Sequence, residues 1–171
     1  MSKNELKTFW QNNISLSYKQ KIQIIEDYTL QNSNGVDLIS NNGKIVYHEA
    51  LEYKHSFAKD IYIRQMTLPK NWFIVGAIQK WSYPFFLLSG KLSITTYKGV
   101  EDYIAPMYFV SEPGTKRVGY AIEKSIVVTV HANPTNTQDL DEIEEHLVAL
   151  NWEEYEEFKN KLKNDNSDNK K

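Results

Sequence analysis

The sequence predicts an all-β barrel with helices at both ends, and three observations carry that expectation. First, between about residues 56 and 132, runs such as "DIYIRQMTL", "WFIVGAIQKW", "KLSITTYK" and "SIVVTVHA" are rich in β-branched and aromatic side chains. Gly, Pro or Asn cuts them roughly every 8 to 12 residues, the texture of a β-sandwich or barrel. Second, on either side of this region the apolar residues fall at helical spacing. Third, the chain has 171 residues and no internal repeat, which suits one domain with a real core.

The elements follow in order. Residues 1–14 are polar and read as a weakly ordered arm. "SLSYKQKIQIIEDYTLQN" sets Tyr18, Ile22, Ile25 and Thr29 near helical spacing, with Ser15 or Ser17 available as a cap. "NSNG" and "SNNGK" are turn signals around the short apolar piece "VDLI". After the barrel and "ANPTNTQ", the stretch "DLDEIEEHLVAL" places Leu140, Ile143, Leu147 and Leu150 on one face. Asp139, Asp141 and Glu142 stand in a first turn, where the helix dipole favours anions. "NWEEYEEFKNKL" repeats the pattern with Trp152, Tyr155, Phe158 and Leu162. The expected organisation is an arm, helix and turns over 1–54, the barrel over 55–132, helices over 133–163 and a disordered tail over 164–171. Together these make one globular unit.

Composition excludes several function classes. A net charge of -2 gives no general attraction to nucleic acid or anionic lipid. The absence of cysteine removes disulfides, thiolate metal sites and cysteine nucleophiles. "MSKNELKTFWQNN" lacks the apolar core of a signal peptide, and apolar runs fall short of the ~18 residues that span a bilayer. The expectation is a cytoplasmic protein with no membrane or nucleic-acid partner. In "PFFLL" and "MYFV" both strand parities are apolar, so these strands need cover on both faces. Either the terminal helices supply it or a second copy does, as a homodimer or higher homo-oligomer.

At "PGTKRVGYAIEKSIVVTVHANPTNTQDLDEIEE", residues 113–145, and upstream at "HSFAKDIYIRQMTLPK", the chain resembles the cupin superfamily of jelly-roll barrels. It is similar, more narrowly, to short cupin-like proteins of tailed phages and environmental bacteria. The resemblance covers about residues 53–150. It implies a jelly-roll barrel and, in the wider superfamily, two metal-binding motifs from which this sequence departs. The first motif wants His-x-His and then Glu on a strand before a Gly turn. Here Gln79, Trp81 and Phe85 or Phe86 stand ahead of Gly90. The second wants Pro-x-Gly-x-x-His, and here Glu112, Pro113, Gly114, Thr115 and Lys116 lead to Arg117. Only His131, in "TVHA", matches a histidine common in the narrower group, which also often has His at the positions of Gln79 and Tyr83.

A transition metal needs three or four converging donors, which His131 alone does not supply and which Arg117 would oppose. No metal, no other cofactor and no catalytic residue is therefore expected. Strand alternation puts Gln79, Trp81 and Tyr83 on one face, and Thr129 with His131 on another, and the resemblance implies that both faces look into the barrel. These aromatic side chains either fill the barrel or wall a small pocket. If they fill it, Gln79 or Tyr83 is expected to hydrogen-bond the His131 ring. The pocket-lining candidates are Gln79, Trp81, Tyr83, Arg117, Thr129 and His131, with Lys116 and Arg117 as a candidate anion site. The acidic "DLDEIEEH" face, with His146, reads as solvated. These residues point to a non-catalytic binding or assembly module, and the resemblance implies one of phage type, associated with virion proteins or accessory to them. The alternative is a metal-independent enzyme or sensor for a small polar ligand of sugar or nucleotide-sugar type.

Overall fold

The computed structural model describes residues 1–31, 35–37 and 47–168. The turn signals at 32–34 and 40–44 lie outside them. Two helices lead the chain, α1 (Lys3–Asn12) and α2 (Tyr18–Gln31), followed by β1 (Gly35–Asp37), β2 (Glu52–Ala58) and β3 (Ile61–Leu68). Then come β4 (Phe73–Val75), β5 (Ile78–Gln79), β6 (Tyr83–Ser89), β7 (Lys91–Thr96) and β8 (Gly99–Ile104). β9 (Met107–Ser111), β10 (Val118–Ala121) and β11 (Ser125–Ala132) precede α3 (Leu140–Leu147), β12 (Val148–Ala149) and α4 (Trp152–Asp168).

The strands form two five-stranded sheets, ordered β1-β4-β10-β7-β8 and β2-β3-β11-β6-β9, with a small β12-β5 ladder beside them. Chain neighbours β6 and β7 lie in different sheets, so the chain turns a corner at Gly90. Its φ is 83°, and a Cβ there would meet the Lys124 carbonyl oxygen at 2.3 Å, so the corner needs glycine. This crossing between facing sheets gives a jelly-roll sandwich. Its interior is a cluster of Leu68, Leu87, Leu92, Ile94 and Val127, joined by Leu51 and Ala121.

The helices cover different parts of the sandwich. Leu6 and Trp10 of α1 and Ile22 and Ile25 of α2 pack on Phe73, Val75, Val118 and Tyr120, the outer face of the first sheet. The expectation of a weakly ordered arm is thus corrected. Ser2 caps α1 in a reciprocal box with Glu5, and the i, i+4 pair Leu6 and Trp10 is buried. Ser17, one of the two candidates, caps α2 through reciprocal bonds with Gln20. At the other end Asp139 caps α3, whose Ile143 and Leu147 pack on Tyr62 and Ala77. Tyr155 of α4 lies against Gly114, where a Cβ would come within 2.7 Å of its hydroxyl. α4 continues to Asp168, beyond residue 164 where the tail was expected to begin. Among the described residues no helix is long and apolar enough to cross a membrane.

Candidate functional site

A cavity of about 110 Å³ lies between the two sheets. Part of its wall is apolar, from Met66, Leu68, Phe85, Leu92, Ile94 and Val127. The rest is polar, from Tyr53, Arg64, Gln79, Tyr83, Arg117 and Glu144, with Thr129 among them. The interior is therefore neither a packed plug nor a water-open groove. The volume is room for several waters or a small organic molecule.

Register explains which side chains meet there. Arg64 and Thr129 are cross-strand partners, and Thr129 in turn faces Phe85. One step along the same strands, Tyr62 faces both Phe57 and His131. The rings of Phe57, Tyr62, His131 and Tyr83 stack in one row across four strands, at centroid distances of 5.6, 6.0 and 4.8 Å. His131, 4% exposed, stands inside this row and not on the cavity wall. Its Nε2 pairs with Thr129 Oγ1 at 2.9 Å. Burial first, and then the nearby Arg64 charge, hold its pKa down at about 3, so the ring is neutral. The expected hydrogen bond from Gln79 or Tyr83 is not formed. Thr129, two residues away on the same strand face, takes that place, and Tyr83 stacks instead.

The polar wall centres on Glu144, a residue of α3 that is 5% exposed. Its Oε1 pairs with Arg64 Nη1 at 2.5 Å and accepts the Tyr47 hydroxyl at 2.8 Å. Burial is the largest influence and opposes the Arg64 charge, but Glu144 together with Tyr62, Tyr47 and Tyr83 outweighs it and raises the pKa above its ordinary value. Burial, and then Glu144, raise the Tyr47 pKa. Tyr53 is pushed up to about 12, chiefly by burial, so its hydroxyl is a neutral donor. A weak backbone hydrogen bond from His48 opposes that rise, although Tyr53 Oη has no partner at full hydrogen-bond geometry. Arg117 reaches in from the loop before β10, its guanidinium 5.1 Å from the centre of the Phe109 ring. Among the described residues it has no ion-pair partner. Tyr53 Oη, Arg117 Nε and Glu144 Oε2 are buried without a hydrogen-bond partner, and all three residues line this cavity.

Of the sequence candidates, Gln79, Tyr83, Arg117 and Thr129 meet at the cavity, His131 stands behind it, and two lie elsewhere. Trp81 is outside the sandwich. β5 leaves the main sheets to pair with β12, and Lys80–Ser82 form a break, so the strand parity does not carry across. The Trp81 ring stacks on His146 at 5.6 Å, and its Nε1 donates to the His146 carbonyl at 3.0 Å. His146 and Glu144 thus correct the expectation of a wholly solvated α3 face. Lys116 is buried and ion-paired with Glu26 of α2, while the Tyr18 hydroxyl donates to its carbonyl at 2.7 Å. It faces away from Arg117, so the two do not share an anion site.

Sequence reasoning missed Glu144, Arg64, Tyr47 and Tyr53. Two had a signal. Glu144 falls in the apolar stripe of Leu140, Ile143 and Leu147, and Arg64 has the inward parity of Tyr62, Met66 and Leu68. The residues present do not fit a transition metal. Among the described residues no three His, Asp or Glu side chains converge to hold one. The motif position nearest the cavity is a guanidinium, and the His131 nitrogen is bonded to a hydroxyl.

Strand order and cavity walls define a jelly-roll sandwich with a mixed polar and apolar interior, carrying helices at both ends. No protein-family model matches the chain, and no curated protein matches it significantly. Among solved structures it is similar to a cupin superfamily protein from Desulfitobacterium hafniense, at 7% identity and a TM-score of 0.45, over 51% of this chain and 81% of that one. It is similar to KdgF from Halomonas sp. at 11% and 0.46, over 59% and 94%. A third is an acetylacetone dioxygenase from Acinetobacter johnsonii at 15% and 0.44, over 58% and 78%. At these scores no activity or ligand is transferred from them.

Proposed function

We propose that this chain is a non-catalytic binding module that holds a small molecule between its sheets. One observation carries the reading: the three buried polar atoms without partners belong to residues lining a single cavity. Each such atom costs about 1–3 kcal/mol if left dry, so three at one place mark a surface built to meet something polar. A binding role fits better than catalysis. The cavity carboxylate, Glu144, is held by Arg64 and Tyr47, and the neutral His131 ring is bonded to Thr129 behind the wall. A ligand-observed NMR screen of molecules with up to about ten heavy atoms tests it. Competing binders are expected, all blocked when Val127→Phe fills the cavity. A screen without a single hit overturns the reading.

A second observation favours self-association of this module. Leu88, Tyr108 and Val110, on the outer face of β6 and β9, are 52%, 70% and 56% exposed. The sequence resemblance supplies the setting, a virion-associated or accessory protein of phage type, kept in the cytoplasm of the host.

A further inference from the structure

Several buried or half-buried cations of this protein have anionic partners, and the buried Lys21 instead donates to the Trp10 carbonyl and lies over the Trp10 ring. Lys116 is paired with Glu26, Arg64 with Glu144, and Lys80, whose side chain is 11% exposed, with Glu154. Among the described residues Arg117 has no anionic partner, only the face of Phe109. A ring face holds a guanidinium plane but does not neutralise it, and its Nε edge is left free. From this and the opposite wall we propose that the ligand is a small hydroxy-monocarboxylate. Its carboxylate lies on Arg117, and its hydroxyl lies between Glu144 Oε2 and Tyr53 Oη. The proposal rests on the binding reading above and adds the class of ligand.

Charge decides the anionic end. Arg64 and Glu144 cancel, which leaves the cavity with the single positive charge of Arg117. A monoanion balances that charge, and a carboxylate matches the planar donor edge of a guanidinium. A phosphate would carry more charge than one guanidinium meets, and the neighbouring cation, Lys116, is spent on Glu26. Donor and acceptor counts decide the other end. Glu144 Oε2 is an acceptor and can only be met by a donor. Tyr53 is protonated and can donate. A hydroxyl does both jobs, donating to Glu144 and accepting from Tyr53. An ammonium would donate to both but would bring a charge that Arg64 already supplies.

Position decides the spacer. Tyr53 sits on β2 and Phe109 on β9, the two outer strands of one five-stranded sheet. Four strand steps of about 4.8 Å separate their backbones, and the Tyr53, Phe109 and Arg117 side chains that line the cavity take up most of that gap. Between them Met66, Phe85 and Val127 form an apolar wall. The ligand therefore has its two polar ends apart and a short hydrocarbon stretch between. A cavity of about 110 Å³ is smaller than the ~150 Å³ that accepts the six carbons of benzene, so the molecule has no more than about six heavy atoms.

Isothermal titration of the purified protein tests this with ω-hydroxycarboxylates of two and three carbons. Matched arms are the plain carboxylates, the 1-alkanols and the ω-aminocarboxylates of the same lengths. The hydroxycarboxylates are expected to bind about tenfold or more tighter than any matched arm. Tyr53→Phe should weaken the hydroxycarboxylate about five- to tenfold, leave the plain carboxylate unchanged and keep the melting temperature, since no protein partner is lost. Arg117→Met should abolish carboxylate binding at unchanged or higher melting temperature. Alkanols or aminocarboxylates binding as well as the hydroxycarboxylates would overturn the ligand class. If this whole panel fails while neutral fragments of the same size bind, the class falls and the binding reading stands. If neither binds, both fall.

Discussion

Burial between Tyr62 and Tyr83 keeps His131 neutral, and that has a pH dependence with a definite sign. Its folded pKa, about 3, lies below the ordinary value of 6.5. From pH 6.5 down to about 3 the unfolded chain takes up a proton that the folded ring refuses. The contribution of this group is whole above pH 6.5 and is lost as pH falls, by up to about 1.4 kcal/mol per pH unit. Burial also lowers the pKa of His55 and His146, so the native slope has more than one source. Comparison with His131→Gln isolates one of them. Urea titrations of the variant should lose stability less steeply between pH 6 and 4 than those of the native protein. Parallel curves would mean that the ring is protonated in the fold. Gln79, Tyr83, Arg117 and Thr129, which line the cavity, were legible as candidates from strand parity and motif position. The position of His131 along its strand was legible too. Its partner was not, because Thr129, on the same strand face, competes for the ring as effectively as any residue across the barrel.

Among the elements, α3 is the one that ties a terminal segment to the interior. Its Glu144 passes through the apolar stripe to reach Arg64 on β3, and Tyr47 joins the same oxygen. Breaking one side of such a buried pair is costlier than removing both. Glu144→Leu strands the Arg64 charge and is expected to cost about 3–5 kcal/mol in urea unfolding. Adding Arg64→Met should return the protein to within about 1 kcal/mol of native stability. Additive losses in the double variant would refute the coupling. The strands from β3 to β11 and three of the four described helices were legible in the sequence, since period and punctuation are local properties, whereas β12 stands where a helix was expected. α1 was missed because its polar residues outnumber the pair that matters, Leu6 and Trp10, although "SKNE" carries the capping-box spacing. Trp81 was misplaced for a related reason. Alternation holds only while a strand is continuous, and the break at Lys80–Ser82 resets it. The polar wall stayed hidden because its members come from β2, β3, the loop before β10 and α3, far apart in the chain.

Taken as a whole, the molecule is asymmetric in how its sheets are covered. α1 and α2 close the outer face of the first sheet, and α3 and α4 pack around Ala77, Ile78 and Tyr62. The outer face of the second sheet carries Val128, Phe86 and Tyr108 in one cross-strand row and Val130 and Val110 in the next. Tyr108 and Val110 are more than half exposed, and so is Leu88. The two-sided apolarity of "PFFLL" and "MYFV" left two ways to cover this face, and the terminal helices are used elsewhere. We propose a second copy as the cover. A face of this kind on an identical partner is self-complementary about a twofold axis, which closes the assembly at two chains. The edge strand β9 strengthens the case, since its outer backbone groups are free to pair or to lie beside the partner's. Light scattering at tens of micromolar is therefore expected to give about twice the 20.0 kDa of one chain. Leu88→Lys with Tyr108→Glu should shift the protein to monomers while its melting temperature changes little, because both side chains point outward from a formed sheet. A native protein that scatters as a monomer, or a variant that stays dimeric, would mean that this apolar face is not where the chains meet.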